Sequence, residues 1–253
     1  SSMLEKFTVR VQRQDGPATK PYTQTFELPY KPDMNVISVL QEIAAHPVTA
    51  DGQHTTPVVW DSNCLEEVCG ACSMVINGFV RQACSALVDE LLRAGPVIDL
   101  KPMSKFPVIR DLFTDRSRMF DALKKVRAWI PVDSYAPLGP GPIVPPEVNE
   151  RRYELSRCMT CGCCLEACPQ INPHSDFIGP QVIGQVVLFN MHPTGAMTAS
   201  YRNEAMMGPG GITGCGNAEN CVKVCPKDVP LTWAIGKLGR DTTTHAFKRW
   251  LMR

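Results

Sequence analysis

Cys158-Met159-Thr160-Cys161-Gly162-Cys163-Cys164-Leu165-Glu166-Ala167-Cys168-Pro169 places four of its five cysteines at C-x2-C-x2-C-x3-C and follows the last with proline. This is the spacing of the bacterial iron–sulfur run, in which the fourth cysteine of a two-cluster protein ligates the other cluster. Cys158, Cys161 and Cys164 are therefore expected to hold one cluster, and Cys168 to reach a second. Cys163 lies inside the run but off its spacing, and reads as a buried free thiol.

The second run lies further along. Cys215, Cys221 and Cys225, followed by Pro226, repeat the pattern with Ala218 where the second cysteine belongs. The pair of runs is an internal repeat. Exchange of the fourth cysteines gives one cluster Cys158, Cys161, Cys164 and Cys225, a full 4Fe–4S set. The other receives only Cys168, Cys215 and Cys221. Alanine has no ligating atom, so 3Fe–4S is expected there. The alternative is a 4Fe–4S cluster with water or a non-cysteine ligand at that corner.

A third group precedes both. Cys64, Cys69, Cys72 and Cys84 are spaced C-x4-C-x2-C-x11-C, the plant-type 2Fe–2S pattern. Gly70 and Ala71 are small, which lets backbone N–H groups approach the bridging sulfides. The competing reading is structural zinc, which favours two separated C-x2-C knuckles. This loop has one. A colourless zinc scaffold also leaves the paired runs and the Ala218 gap without a reason.

Composition fits these sites. The chain has 253 residues, 12 cysteines and a formal net charge of +1. It is long enough for proper cores without disulfide staples. Near-zero charge gives no reason to expect a nucleic-acid partner. No apolar run approaches the length of a membrane span. Ser1 to Arg13 lacks the apolar centre of a signal peptide. In a reducing compartment, clustered cysteines read as metal ligands.

The expected class is α+β: a β-grasp 2Fe–2S domain over 1–106, a helix and Pro-rich linker over 107–146, and an α-helical two-cluster ferredoxin-like domain over 147–253. Phe7, Val9 and Val11 alternate as in a half-buried strand, and Phe26 and Leu28 suggest its neighbour. Val36 to Ile43 reads as a helix capped by Asn35. Asn77-Gly78 between apolar residues signals a hairpin, and Val97 to Leu100 a closing strand. Phe113, Phe120, Leu123, Val126 and Ile130 recur at helical spacing, so 107–130 reads as a basic amphipathic helix carrying Arg116, Arg118, Lys124, Lys125 and Arg127. Its basic face is either solvated or a docking surface. Pro131 to Pro146 holds six prolines and reads as an extended linker. Val182 to Asn190, Asn220 to Val224 and Thr232 to Leu238 read as short helices.

Other features stay bland. His46, His54, His174, His192 and His245 share no metal spacing, and read as surface or hydrogen-bonded residues. Trp233 and Trp250 read as core or interface aromatics. Gly208 to Gly216 is glycine-rich but lacks the ending of a phosphate loop, and reads as the loop that delivers Cys215.

A plant-type 2Fe–2S domain followed by a 4Fe–4S/3Fe–4S domain resembles the iron–sulfur subunit of succinate:quinone oxidoreductase and its sister, fumarate reductase. Asn63-Cys64-Leu65-Glu66-Glu67-Val68-Cys69-Gly70-Ala71-Cys72, Arg116-Ser117-Arg118-Met119-Phe120 and Cys225-Pro226-Lys227 carry the likeness. Phe189 to Met197, with His192-Pro193-Thr194-Gly195, is similar to Gram-positive-type members. The resemblance implies a flavoprotein partner with FAD that oxidises succinate, a membrane cytochrome b anchor with haem b, and a quinone acceptor. It implies a peripheral place on the cytoplasmic face of the bacterial plasma membrane, and no catalytic dicarboxylate residues in this chain. The alternative is fumarate reduction, the same wire run backwards. Ubiquinone-reducing relatives carry Trp soon after the first Cys-Pro. Gln170-Ile171-Asn172-Pro173 follows here, which points to menaquinone reached through anchor haem. Pro169, Gly216, Asn217 and Ala218 are candidates for quinone contact, with cluster packing the simpler role.

Overall fold

A computed structural model describes residues 5–130 and 141–252. In chain order the elements are β1 (Lys6–Arg13), β2 (Tyr22–Pro29), α1 (Val36–Ala45), β3 (Ser73–Ile76), β4 (Phe79–Gln82), α2 (Val88–Ala94), β5 (Val97–Lys101), β6 (Val108–Arg110), β7 (Phe113–Thr114), α3 (Ser117–Lys125), α4 (Pro146–Ser156), α5 (Cys163–Glu166), α6 (Pro180–Met191), α7 (Ala199–Met207), α8 (Asn220–Lys223) and α9 (Leu231–Leu251). They form two compact units. The first comprises residues 1–116 with 159–166, and the second 117–158 with 167–253.

The first unit is a five-stranded mixed sheet, order β2-β1-β5-β3-β4, with β1 and β5 parallel. Alternation in β1 buries Phe7, Val9 and Val11, and the register sets Phe7 opposite Leu28 and Val9 opposite Phe26. Val36, Ile37, Val39, Leu40 and Ile43 of α1 join that core. Asn35 caps α1 in a reciprocal box with Ser38, as its position predicts. Its Nδ2 also donates to the Cys84 carbonyl at 3.0 Å, so the helix start and a cluster-loop cysteine share one side chain. Asn77 and Gly78 both have positive φ and turn β3 into β4, as a two-residue hairpin of this sequence requires.

The inward row of β1 ends on a charge. Arg13 and Asp111 are both fully buried and pair at 2.9 Å. The guanidinium also donates to Gln24, Thr55, Thr56 and Pro57. Asp111 accepts from the backbone N–H groups of Gln14 and Val59. Every member is bonded, which is the condition for a buried pair to be tolerated. The pair fastens β1 to residues 55–59, the approach to the Cys64 loop.

The expected helix over 107–130 is only partly present. Residues 108–114 form the β6–β7 ladder, and the helix is confined to Ser117–Lys125. Asp111, at φ 47°, is held between those strands by Arg13, and that left-handed residue cannot sit inside an α-helix. Phe113 is a strand residue, and Phe120 is 51% exposed. Of the expected linker, 131–140 lies outside the described residues. Pro146 opens α4 as its first residue.

The second unit is helical. α6 packs against α3, α4 and α9, and α7 against α9. Val182, Ile183, Val186 and Val187 of α6 are buried, as are Leu155 of α4 and Leu231, Ala234 and Leu238 of α9, the helices α6 packs against. Gly184 lets α6 approach closely, since a Cβ there would lie 3.1 Å from Leu231 Cδ2. Arg202, 1% exposed, donates to Asn190 Oδ1 at 2.7 Å and to the Gly195, Arg127 and Trp129 carbonyls. Where the sequence suggests a helix over Thr232–Leu238, α9 runs on to Leu251.

Candidate metal centres

In the first unit the Cys64–Cys72 loop folds around its own backbone. Leu65, Glu67 and Gly70 have φ of 62°, 58° and 71°. Alternation of left- and right-handed residues turns successive N–H groups to one side. The Cys64 sulfur accepts from the N–H groups of Glu66, Val68 and Cys69 at 3.3–3.4 Å. The Cys69 sulfur accepts from Cys64 at 3.5 Å and Ala71 at 3.4 Å. These donors, led by Glu66 and Val68, pull the Cys64 thiol down to about 7, because they stabilise the thiolate. Cys72 is buried and pushed up to about 12 by that burial, with Cys84 beside it. A negatively charged sulfur cluster fits this loop: N–H groups ring the Cys64 and Cys69 sulfurs, and buried Cys72 would need the charge of iron to remain a thiolate.

Ser85, next to Cys84, donates to Glu67 Oε1 at 2.7 Å and so ties the fourth cysteine to the loop. Residues 159–166 belong to the same unit. Arg116 donates to the Gly70 carbonyl at 2.6 Å and the Thr160 carbonyl at 3.1 Å. A Cβ on Gly70 would lie 2.8 Å from Cys161 Cβ, so only glycine fits. Cys163 is fully buried at the start of α5, as its off-spacing place suggests. Cys161 is raised well above the ordinary thiol range, by its hydrogen bond with Cys163 and then by burial.

In the second unit Cys168, Cys215 and Cys221 line one cavity, with Pro169, Gln170, Phe177, Gly216, Asn217 and Ala218 in its wall. Asn217 and Glu219 have φ of 52° and 59°, so Ala218 sits between two left-handed residues. Cys221 is pushed up to about 11, first by burial and then by Cys168 and Cys215 nearby. Three sulfurs around one largely apolar space fit an iron cluster, whose charge would let them bind as thiolates. Cys225 also lies in this unit and accepts from the Val229 N–H at 3.4 Å. Cys158 follows α4.

Two of the histidines are hydrogen-bonded. His192 Nδ1 accepts from the N–H groups of Thr194 and Gly195, and burial lowers its pKa. His245 bonds Glu204 at 3.2 Å. Sequence reasoning missed the Arg116, Ser85 and Glu67 contacts around the first loop; for Ser85 a polar side chain beside Cys84 was the available signal, and for Arg116, far from any cysteine in sequence, there was none.

Two family models match. Residues 8–121 match the 2Fe-2S iron-sulfur cluster binding domain, and residues 154–229 the 4Fe-4S dicluster domain. The chain is 57% identical over 250 residues to the succinate dehydrogenase iron-sulfur subunit of Bacillus subtilis, covering 98% of each. It belongs to the succinate dehydrogenase and fumarate reductase iron–sulfur subunit family. The fumarate reductase iron-sulfur subunit of Wolinella succinogenes is 30% identical, over 94% of this chain and 98% of that one. A chain of the Mycobacterium smegmatis Sdh1 complex in the apo form shares the fold at TM-score 0.76 and 23% identity, over 97% of this chain and 98% of that chain. The family supports the iron–sulfur reading over the zinc scaffold. Among the described residues no helix is long and apolar enough to cross a membrane.

Proposed function

We propose that this chain is the electron-carrying subunit of a succinate:menaquinone oxidoreductase, taking electrons from the FAD of a flavoprotein partner and passing them towards a cytochrome b anchor with haem b. In this reading Cys64, Cys69, Cys72 and Cys84 hold 2Fe–2S, Cys158, Cys161, Cys164 and Cys225 hold 4Fe–4S, and Cys168, Cys215 and Cys221 hold 3Fe–4S. Residues 1–106 are the 2Fe–2S domain, 107–146 the connection and 147–253 the two-cluster domain. The clusters, when bound, supply one-electron transfer in that order. The chain's own groups hold the sulfurs, exclude water and set local charge.

One observation carries the three-iron assignment: Cys168, Cys215 and Cys221 surround a single cavity with Ala218 in its wall. Methyl-bearing Ala218 offers that corner no donor. Pro169, Gly216 and Asn217 line the same cavity, and cluster packing accounts for them without quinone contact. The 57% identity to a succinate dehydrogenase subunit favours succinate oxidation over fumarate reduction. The place on the cytoplasmic face of the plasma membrane follows from the partners.

Low-temperature EPR of the purified complex tests this. A narrow three-iron signal in the oxidised sample, bleached by succinate as a 2Fe–2S signal grows, is the expected result. A colourless, silent sample would sink the cluster assignment. Clusters untouched by succinate would move the donor elsewhere.

A further inference from the structure

The wall of the Cys168–Cys215–Cys221 cavity holds one amide that no described residue engages. Gln170 lines that wall two residues after Cys168. Its turn is fixed by its neighbours. The Ile171 N–H donates to the Cys168 carbonyl at 3.2 Å, Asn172 Nδ2 donates to the Pro169 carbonyl at 2.8 Å, and Ile171 is buried. The Gln170 side chain lies against Gly216: a Cβ there would stand 2.6 Å from Gln170 Nε2 and 3.2 Å from its Cδ. Only glycine leaves the amide where it is. Gln170 is half-buried, and among the described residues its amide has no hydrogen-bond partner. The other amides of the wall are turned elsewhere. Asn220 Nδ2 donates to the Ala167 carbonyl at 3.1 Å, and Asn217 presents its oxygen to Cys215 Sγ at 3.8 Å. An amide N–H left unpaired beside a largely apolar wall is costly, so its placement calls for an acceptor that comes with whatever fills the cavity.

We propose that Gln170 donates its amide N–H to a sulfur of the three-iron cluster and raises the potential of that cluster, with Gly216 as the positioning residue that makes room for the amide. The inference rests on the reading that Cys168, Cys215 and Cys221 hold 3Fe–4S. Sulfur is the acceptor on offer in this cavity, since three of its lining residues are cysteines. Reduction adds one electron to the cluster and its thiolates. A neutral N–H directed at their sulfurs stabilises that added charge, so it favours the reduced form. Glutamine does this without a titratable proton and without a full charge in the wall. Gly216 acts only through Gln170: a methyl group there displaces the donor and touches nothing else within van der Waals range.

The test is an EPR-monitored redox titration of the three-iron signal in the whole complex, with wild type beside Gln170→Leu, Gln170→Met, Gly216→Ala and the Gln170→Leu/Gly216→Ala double variant. Gln170→Leu and Gly216→Ala are each expected to lower the midpoint potential. The double variant is expected to fall no further than Gln170→Leu alone, since both changes remove one donor. A wild-type potential in Gln170→Leu overturns the proposal, as does an equal fall in the potential of the 4Fe–4S cluster, which would mark general loosening. Additive shifts in the double variant overturn the role given to Gly216. If Gln170→Leu loses the cluster, Gln170→Met, of nearly the same length and without a donor, decides in its place. Loss of the cluster in both would make Gln170 a residue of assembly and overturn the proposal too. Absence of a three-iron signal in the oxidised wild-type complex would instead defeat the cluster assignment beneath it.

Discussion

The Cys64 loop and the Cys168–Cys215–Cys221 cavity solve one electrostatic problem in opposite ways. In the loop, backbone N–H groups outweigh burial and Cys64 falls to about 7. In the cavity, burial and neighbouring sulfurs outweigh the donors and Cys221 rises to about 11. The loop is prepared for negative charge by the chain itself. The cavity depends on what fills it. Both nevertheless use the same backbone device. Leu65 and Glu67 in one, and Asn217 and Glu219 in the other, are left-handed at alternate positions, as are Thr160 and Gly162 in the run between.

Ala218→Cys attacks the contrast most directly. If the cavity holds the proposed three-iron cluster, a fourth thiolate in its wall is expected to convert it to 4Fe–4S, so the oxidised three-iron EPR signal disappears. A variant that keeps the full signal would show that the corner is closed for another reason.

Alkylation of the metal-free chain should sharpen it next. At pH 8, thiols of about 7 and about 11 differ about a thousandfold in thiolate content, so Cys64 should be labelled far ahead of Cys221 by mass spectrometry. The linkage has opposite signs. Cys64, lowered on folding, contributes apo stability that is full above the unfolded thiol pKa and is lost as pH falls through about 7. Cys221, raised on folding, contributes stability that is full below the unfolded pKa and is lost as pH rises through about 11. Denaturation of the apo chain across that range checks both arms.

Asp111→Ala removes the partner of fully buried Arg13 and is expected to cost about 3–5 kcal/mol by chemical denaturation. The approach to the Cys64 loop should loosen with it, while the helical cavity keeps its signal. Gly70→Ala places a methyl against Cys161 and strains a left-handed backbone by about 1–3 kcal/mol, so 2Fe–2S occupancy should fall by absorbance. Glu219→Gly is the mildest change. It relieves a left-handed residue at some cost in chain entropy, for a net gain of under about 1 kcal/mol in the apo melt.

The parts of this protein that were legible in advance are those written in short-range spacing. Cysteine intervals, the alternation of Phe7, Val9 and Val11, the Asn35 cap and the Asn77-Gly78 turn each need only a few neighbouring residues. What stayed hidden depends on distant partners. Asp111 breaks an apparent helical period because Arg13, nearly a hundred residues earlier, holds it left-handed. Leu65, Glu67, Thr160 and Glu219 are ordinary residues in conformations that glycine usually takes, so composition gives no sign of them. α9 continues past Gly236 and Gly239 because Leu238 and Thr242, on either side of Gly239, remain buried, and local propensity does not report that packing.

The membership of residues 159–166 in the first unit has a consequence for synthesis. Ser73 and Gln82 are translated long before Cys161 and Cys163, yet one hydrogen bond of each closes on those later residues, Ser73 Oγ to the Cys161 carbonyl and Gln82 Nε2 to the Cys163 sulfur. A nascent chain exposed only up to residue 130 carries Ser73 and Gln82 without these two later partners. In the proposed reading, a cluster inserted into the early segment would be placed before residues 159–166 have left the ribosome. On that reading, translation order itself would set the order in which iron is delivered, with the first proposed centre completed only when the second cysteine run arrives.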